Sequence, residues 1–417
     1  MRIRLFAIAL SAVFSFGTLC HGQLFPTFIN GQFTLGSNTG SSPYALSDTF
    51  LLESNPNATK TIYLDFDGHH SVNNRWGHDI QFDAFDRDGD INSFSNAELI
   101  EIQLQFQNVA EDFLPFDVNV TTRDPGVEAL RQVGLGDEFY GVRAVNTQAK
   151  DGFGNGIGGV AYLNSFDDNR DNPVFTFNKG ANNGAITNSH EVGHALGLGH
   201  DGLNGSTYHP GTGNNSSPVS WGPIMGAPFW KNVTQWSNGD YSGSTNTQDD
   251  FTVMTKAANG FGFRDDQVGD NIVSAEQLHF TDDEAFDWGI IEQNTDVDFY
   301  ELTLGPGTVD LTVLPFEGTP NLDIQARLYD SNGVLIAESN PLDDLDASFQ
   351  FTIDSEATYY FSIEGTGRPG TYSDYGSLGL YTIYGSFSPA AIPEPGSAIV
   401  LALFVGGICL HRRRKKA

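Results

Sequence analysis

Cysteine is almost absent from this chain. Of 417 residues only Cys20 and Cys409 carry a thiol, and both lie in apolar stretches at the extreme ends. The body that must fold has no disulfide and no thiolate to offer a metal, so a tightly held metal there must use His, Asp or Glu. Positive charge is scarce too: 21 Lys and Arg stand against 52 Asp and Glu, a formal net charge of −31. A polyphosphate partner needs a basic face, so nucleic acid is excluded. Methionine is the third scarcity. Beyond the first residue only Met225 and Met254 occur.

What is plentiful is glycine, with 47 residues, beside 18 prolines. That balance favours turns and strands over long helices. The length suffices for two domains of ordinary size, and a hydrophobic fraction of 39% can bury their cores. The acidic excess reads as the solubility adaptation of an extracellular protein, with carboxylate clusters that hold Ca²⁺ as the second reading.

The two ends read as addresses. Arg2 and Arg4 precede an apolar run from Leu5 to Leu19 and small residues near Gly22, the pattern of a secretory signal over 1–22. At the other end Pro393-Glu394-Pro395 precedes an apolar stretch, Ser397 to Leu410, and the basic cluster Arg412 to Lys416. Basic residues just past an apolar segment stay on the cytoplasmic side. This tail, 389–417, resembles a PEP-CTERM sorting signal of Gram-negative bacteria. The resemblance implies transient membrane insertion, cleavage near Pro393–Pro395 by an exosortase-type enzyme, and release to the cell surface or beyond. A plain C-terminal membrane anchor is the alternative. Removing 1–22 takes away two basic residues and removing 389–417 five basic and one acidic, leaving 14 basic against 51 acidic.

Between the ends, 23–59 is rich in Ser, Asn, Gly and Pro without a sustained period and reads as a flexible lead-in or short pro-segment. From Thr61 the pattern sharpens: TIYLDFDG alternates as a strand, and Ser95 with Glu98 forms a capping-box signature. Behind it Leu99, Ile102, Phe106, Val109 and Phe113 recur at helical spacing, predicting a helix from about Asn96 to Leu114. FDVNVTT, YGVRAVNT, GVAYLNSF and PVFTFN follow as strands. The expectation is an α/β domain over 60–255 with a mixed, mostly parallel sheet and an active-site helix. A linker, 256–280, then leads to an all-β sandwich domain, 281–388, whose segments DFYELTL, TVDLTVL, LDIQARLYD, SFQFTI and TYYFSIEG alternate between turn residues.

The stretch His190-Glu191-Val-Gly-His194-Ala-Leu-Gly197-Leu-Gly-His200 carries the chemistry. On a helix, positions i and i+4 share a face, so His190 and His194 can aim at one metal while Glu191 is offset from their line. Gly197 allows the helix to stop and turn sharply, which returns His200 as a third ligand. Three imidazoles leave the fourth position of Zn²⁺ open to water, the arrangement of a catalytic site. Glu191 is then placed to take a proton from that water and pass it to a leaving amine.

The stretch resembles the metzincin signature, HExxHxxGxxH followed by a Met-turn, at all five fixed positions. The resemblance implies that Met225, in Trp221-Gly-Pro-Ile-Met-Gly226, forms an apolar floor beneath the histidines. Met225 lies among turn formers and Met254 in a β-like run, which favours Met225. Asp201, directly after His200, resembles the adamalysin variant, in which the Asp braces the turn by hydrogen bonds. Ala227 stands two residues after Met225, where astacins and serralysins carry a zinc-reaching tyrosine, so no fifth ligand is expected there.

Weaker signals surround the motif. Asp86, Asp88, Asp90 and Asn92 resemble a calcium loop, but Ile91 stands where an EF-hand needs Gly and Ala97 where it needs Glu, which favours a solvated turn. His69, His70, His78 and His209 read as surface or hydrogen-bonded histidines, and Tyr208 as a phenol able to aid an oxyanion. Over 281–388, Asp296-Val-Asp-Phe-Tyr300, Asn321-Leu-Asp323, Leu328-Tyr-Asp-Ser-Asn-Gly333, Tyr372-Ser-Asp-Tyr375 and Gly379-Leu-Tyr381 resemble the bacterial pre-peptidase C-terminal domain, which implies a non-catalytic companion to a secreted peptidase. The function expected is that of a secreted zinc metalloendopeptidase acting on proteins or peptides. The alternative is a non-catalytic, zinc-stabilised matrix or adhesion protein.

Overall fold

The computed structural model describes residues 24–37, 42–148, 153 and 156–390. The segment read as an export signal, 1–22, and residues 391–417 of the segment read as a sorting tail, 389–417, lie outside them. Among the described residues no helix is long and apolar enough to cross a membrane.

The first half is organised by one eight-stranded sheet. In chain order its strands are β1 (Leu24–Ile29), β2 (Gln32–Ser37), β3 (Leu52–Glu53), β4 (Lys60–Asp65), β7 (Asn119–Thr121), β8 (Tyr140–Asn146), β9 (Gly159–Val160) and β10 (Val174–Thr176), with a small β5–β6 pair (His69–Ser71, Ile80–Phe82) standing apart. They lie in the order β2-β1-β3-β7-β4-β8-β10-β9. β4 is buried at every position, as suits a central strand covered on both faces. Helices α1 (Asn96–Asp112) and α2 (Ala181–Leu196) pack on each other, and α2 packs on β8 and β10. Two further strands, β11 (Trp221–Pro223) and β12 (Val233–Gln235), and the short helix α3 (Asp250–Met254) complete this half.

The sheet is mixed, as expected, but only its centre is parallel. β4 runs parallel to β7 and β8, and β8 to β10. The pairings β1–β2, β1–β3, β3–β7 and β9–β10 are antiparallel. Two other readings change. Residues read as a flexible lead-in supply β1, β2 and β3. The signal was present: Asn30 and Gly31 have φ of 51° and 73°, as an Asn-Gly turn with two left-handed residues allows, and that dipeptide between two strands specifies a tight hairpin. GVAYLNSF yields only Gly159–Val160, because Asn164, Ser165 and Phe166 turn back to bond the carbonyls of His194 and Ala195 at 2.9–3.1 Å.

α1 starts at the predicted capping box. Ser95 Oγ accepts from the Glu98 amide, and Glu98 accepts from the Ser95 amide. Its amphipathic pattern conceals an unusual polar burial, since Gln103, Gln105, Gln107, Asn108, Glu111 and Asp112 are all buried. Buried polar groups must find partners, and these find them in three directions. Gln103 bonds the Tyr44 amide at 3.0 Å in the N-terminal segment. Asp112 accepts from Ser189 Oγ on α2 at 2.5 Å. Glu111 accepts from the Leu380 amide at 3.2 Å, in the second half of the chain.

That second half contains two five-stranded sheets. The strands are β13 (Glu276–Gln277), β14 (Phe280–Thr281), β15 (Glu284–Ile291), β16 (Asp298–Leu304), β17 (Gly307–Pro315), β18 (Ile324–Tyr329), β19 (Leu335–Ser339), β20 (Ala347–Ile353), β21 (Ala357–Gly365) and β22 (Gly379–Pro389). The orders are β13-β16-β21-β18-β19 and β14-β15-β22-β17-β20. β17 alternates buried and half-buried residues along its length. Its inward Val309, Leu311 and Val313 share a core with Tyr300, Ile324, Leu328 and Phe361 of the other sheet. Residues read as linker, 256–280, include β13, which pairs with β16, and Phe261 and Phe263, which pack against Phe116.

The halves share that core, and polar contacts add to it. Gln235 Nε2 donates to the Asn321 carbonyl at 2.6 Å, and Tyr375 Oη to Asp249 at 2.9 Å.

Candidate metal centre

α2 ends where the sequence requires it to turn. Gly197 adopts φ 116°, a left-handed conformation that strains any other residue. Its amide donates to the His194 carbonyl at 2.9 Å and the Leu198 amide to the Gly193 carbonyl at 2.9 Å, which is the Schellman arrangement. The helix-end carbonyl of Leu196 is taken by Lys256 Nζ at 2.8 Å and Asn259 Nδ2 at 3.0 Å. Motif reading cannot reach these partners, which come from some 60 residues away.

The turn brings the three histidines together. One ligand atom from each of His190, His194 and His200 lies within 4.8 Å of the others, and Nε2 of His194 and Nε2 of His200 are 2.9 Å apart. Two rings are oriented from behind. His190 Nδ1 lies 2.9 Å from the Ile224 carbonyl oxygen, and His194 Nδ1 lies 2.7 Å from that of Leu198. A carbonyl only accepts, so each Nδ1 carries the proton and each Nε2 keeps a lone pair facing the cluster. Burial, with the neighbouring imidazoles, holds His190 neutral down to about 3 and His200 to about 4, and burial lowers His194 as well.

Glu191 stands beside this cluster, 6% exposed. Its carboxylate hydrogen-bonds to no described residue, and burial alone pushes its pKa up to about 8. The space around it depends on Gly159 of β9: a Cβ there would sit 2.6 Å from Glu191 Oε1. β9 is the last described strand on its side of the sheet.

Met225 is fully buried under α2. A Cβ on Gly193 would lie 2.6 Å from its Sδ, so Gly193, unremarked in the sequence reading, is what lets the methionine approach. The residue before it, Ile224, supplies the carbonyl that orients His190. Met254 is also buried, but it closes α3 rather than sitting in a strand.

Asp201 is buried beside His200. Its amide donates to the Met225 carbonyl at 2.8 Å, its carbonyl accepts from the His209 amide at 2.7 Å, and its carboxylate accepts from Asn246 at 3.2 Å. Tyr208 packs over the cluster, its ring centre 4.4 Å from that of His200 and 6.1 Å from that of His190.

The spare histidines do not join the centre. His69 approaches Asp65 at 3.9 Å, His70 bonds Asp79 at 2.5 Å, His78 lies among Trp76, Phe82 and Phe153, and His209 sits between Trp221 and Tyr241. Asp86, Asp88 and Glu98 bring oxygens within 4.8 Å of one another. Their oxygens are engaged locally: Asp86 caps the amides of Asp88 and Gly89, and Glu98 those of Arg87 and Ser95. The loop is a turn leading into α1.

Comparison with known proteins agrees with this chemistry. Residues 123–201 match the model of the reprolysin-like metallopeptidase family M12B. The match takes in His190, Glu191, His194 and His200 and ends at Asp201, before Tyr208 and Met225. It supports a metallopeptidase, a family that is zinc-dependent and acts on proteins or peptides. No curated protein matches the chain. Among solved structures, 30% of the chain is similar to 98% of the pre-peptidase C-terminal domain of a collagenase from Bacillus anthracis, at 13% identity and a TM-score of 0.20. A further similarity joins 27% of the chain to 96% of PliG, a periplasmic inhibitor of g-type lysozyme from Aeromonas hydrophila, at 11% identity and a TM-score of 0.22.

Proposed function

We propose that the chain is an exported zinc endopeptidase of metzincin type, with His190, His194 and His200 as metal ligands and Glu191 as general base. The observation that carries this reading is the donor set itself. Three neutral imidazoles converge, two with their Nδ1 atoms already satisfied, beside a buried carboxylate that has no cationic neighbour. Borderline-soft Zn²⁺ accepts imidazole nitrogen, and a dication at the cluster would supply the positive charge that Glu191 lacks.

Zinc, when bound, would polarise a water and a substrate carbonyl. Glu191 takes a proton from the attacking water and delivers it to the departing nitrogen as the peptide bond breaks. β9 offers an open strand edge next to Glu191, and an extended peptide hydrogen-bonded along that edge would pass its carboxylate. The Ile224 and Leu198 carbonyls hold the ligand rings against rotation, and Gly197, Asp201 and Met225 support the turn and floor.

The proposal extends to the rest of the chain. The second half acts as a non-catalytic β-sandwich companion resembling a pre-peptidase C-terminal domain. The tail serves as a temporary membrane stop, removed by an exosortase-type enzyme to leave the protein at the surface or outside a Gram-negative cell. Casein hydrolysis abolished by a chelator and restored by zinc supports the enzyme. Bound zinc without any hydrolysis would favour the matrix-protein alternative.

A further inference from the structure

The site has a donor that the motif does not include. We propose that Tyr208 is a catalytic residue of the peptidase put forward above, its hydroxyl donating a hydrogen bond to the carbonyl oxygen that becomes negative during attack. The position two residues past Met225 is Ala227, which has no polar side chain. The loop after His200 fills the gap from the other direction.

That loop is pinned at the residue next to Tyr208. His209 is 1% exposed, with its ring against Trp221 and Tyr241 at 5.5 and 4.9 Å. Its amide donates to the Asp201 carbonyl at 2.7 Å and its carbonyl accepts from the Ala227 amide at 2.8 Å. Its Nδ1 accepts from the Gly211 amide at 2.8 Å. With His209 fixed on the inner side, Tyr208 faces the histidines and lies over His200. It is nevertheless 42% exposed, so it occupies the open side of the cluster. Its hydroxyl hydrogen-bonds to no described residue, which leaves an O–H donor free at the mouth of the site.

In the reaction the carbonyl carbon gains a bond to the water oxygen, and the π pair moves onto the carbonyl oxygen. Tyr208 donates to that oxygen without giving up its proton. Glu191 holds the proton taken from water. When the C–N bond breaks, the oxygen pair re-forms the carbonyl and Glu191 protonates the nitrogen.

Tyr208→Phe removes only the hydroxyl. It should lower kcat on a casein-derived peptide about 10²- to 10³-fold, the loss typical of one oxyanion donor, with KM within about twofold and unchanged zinc content. Tyr208→Ala should be no worse than Tyr208→Phe. A phosphinic pseudopeptide, tetrahedral at the position of the attacked carbon, should bind zinc-loaded Tyr208→Phe more weakly by a similar factor in calorimetry. Wild-type kcat and pseudopeptide affinity in Tyr208→Phe would overturn the assignment and leave the peptidase reading standing. A zinc-loaded wild type that neither cleaves casein nor binds the pseudopeptide would overturn both.

Discussion

Replacing Gly193 with Ala tests how the centre is built. Ala exceeds Gly by about 1 kcal/mol in a helix interior, and Gly193 lies within α2 with no positive φ. From local propensity alone Gly193→Ala should stabilise. The packing says otherwise. The new methyl carbon would lie 2.6 Å from Met225 Sδ and 3.3 Å from Leu198 Cδ1 and Trp236 Cζ3, where contacts between carbons relax at about 3.5–4.0 Å. Met225, Leu198 and Trp236 are all buried, so none can swing into solvent. Overpacking of this kind costs about 1–3 kcal/mol, which leaves a net loss of up to about 2 kcal/mol. Displacing Met225 also shifts the Ile224 carbonyl that orients His190, and loss of such support typically weakens metal binding about 10- to 100-fold. Urea unfolding of chelator-treated protein gives the first quantity, and zinc competition against a chromophoric chelator gives the second. A variant about 1 kcal/mol more stable than wild type, with unaltered zinc affinity, would refute the reasoning.

Two other outcomes follow from the fold and the tail. Burial pushes the Asp112, Asp298 and Glu292 carboxyls up to about 8, 8 and 10, with Asp296 adding to the rise at Asp298 and Glu292. Their unfolded values lie near 4, so the folded chain keeps protons that the unfolded chain releases. The stabilisation is complete below about pH 4 and is lost as pH rises through 8 to 10, at up to about 1.4 kcal/mol per pH unit for each proton. Unfolding free energy measured with excess chelator should therefore fall between pH 7 and 9, less steeply in Asp112→Asn; a rise would contradict the assignment. Mass spectrometry of the exported protein should find a C-terminus near Pro393, whereas an intact Ala417 would refute the sorting-signal proposal.

How far the sequence could be read depended on how local each feature is. The cluster of His190, His194 and His200 was legible because one helix turn and one glycine bring these residues together. The capping box of α1 and five of the ten described strands of the second half were legible for the same reason. What was missed is held by distant contacts: Gly193 against Met225, Gly159 against Glu191, and Lys256 and Asn259 on the end of α2. β22 escaped notice because Gly379, Gly385 and Ser386 dilute its alternation, although it pairs with both β15 and β17. The burial of the polar face of α1 has no local signal, since nothing in the neighbouring sequence announces partners as remote as Leu380. The β1–β2 hairpin is different. Its Asn-Gly turn was readable and was outweighed by the Ser, Gly and Pro content around it.

The central claim separates metal binding from proton transfer, and paired variants test that separation directly. Glu191→Ala and His194→Ala, purified without chelator, should be compared with wild type for zinc by elemental analysis and for casein hydrolysis. The account predicts about one zinc per chain in wild type and in Glu191→Ala, activity only in wild type, and neither zinc nor activity in His194→Ala. Wild-type hydrolysis by Glu191→Ala, or undiminished zinc in His194→Ala, would contradict it.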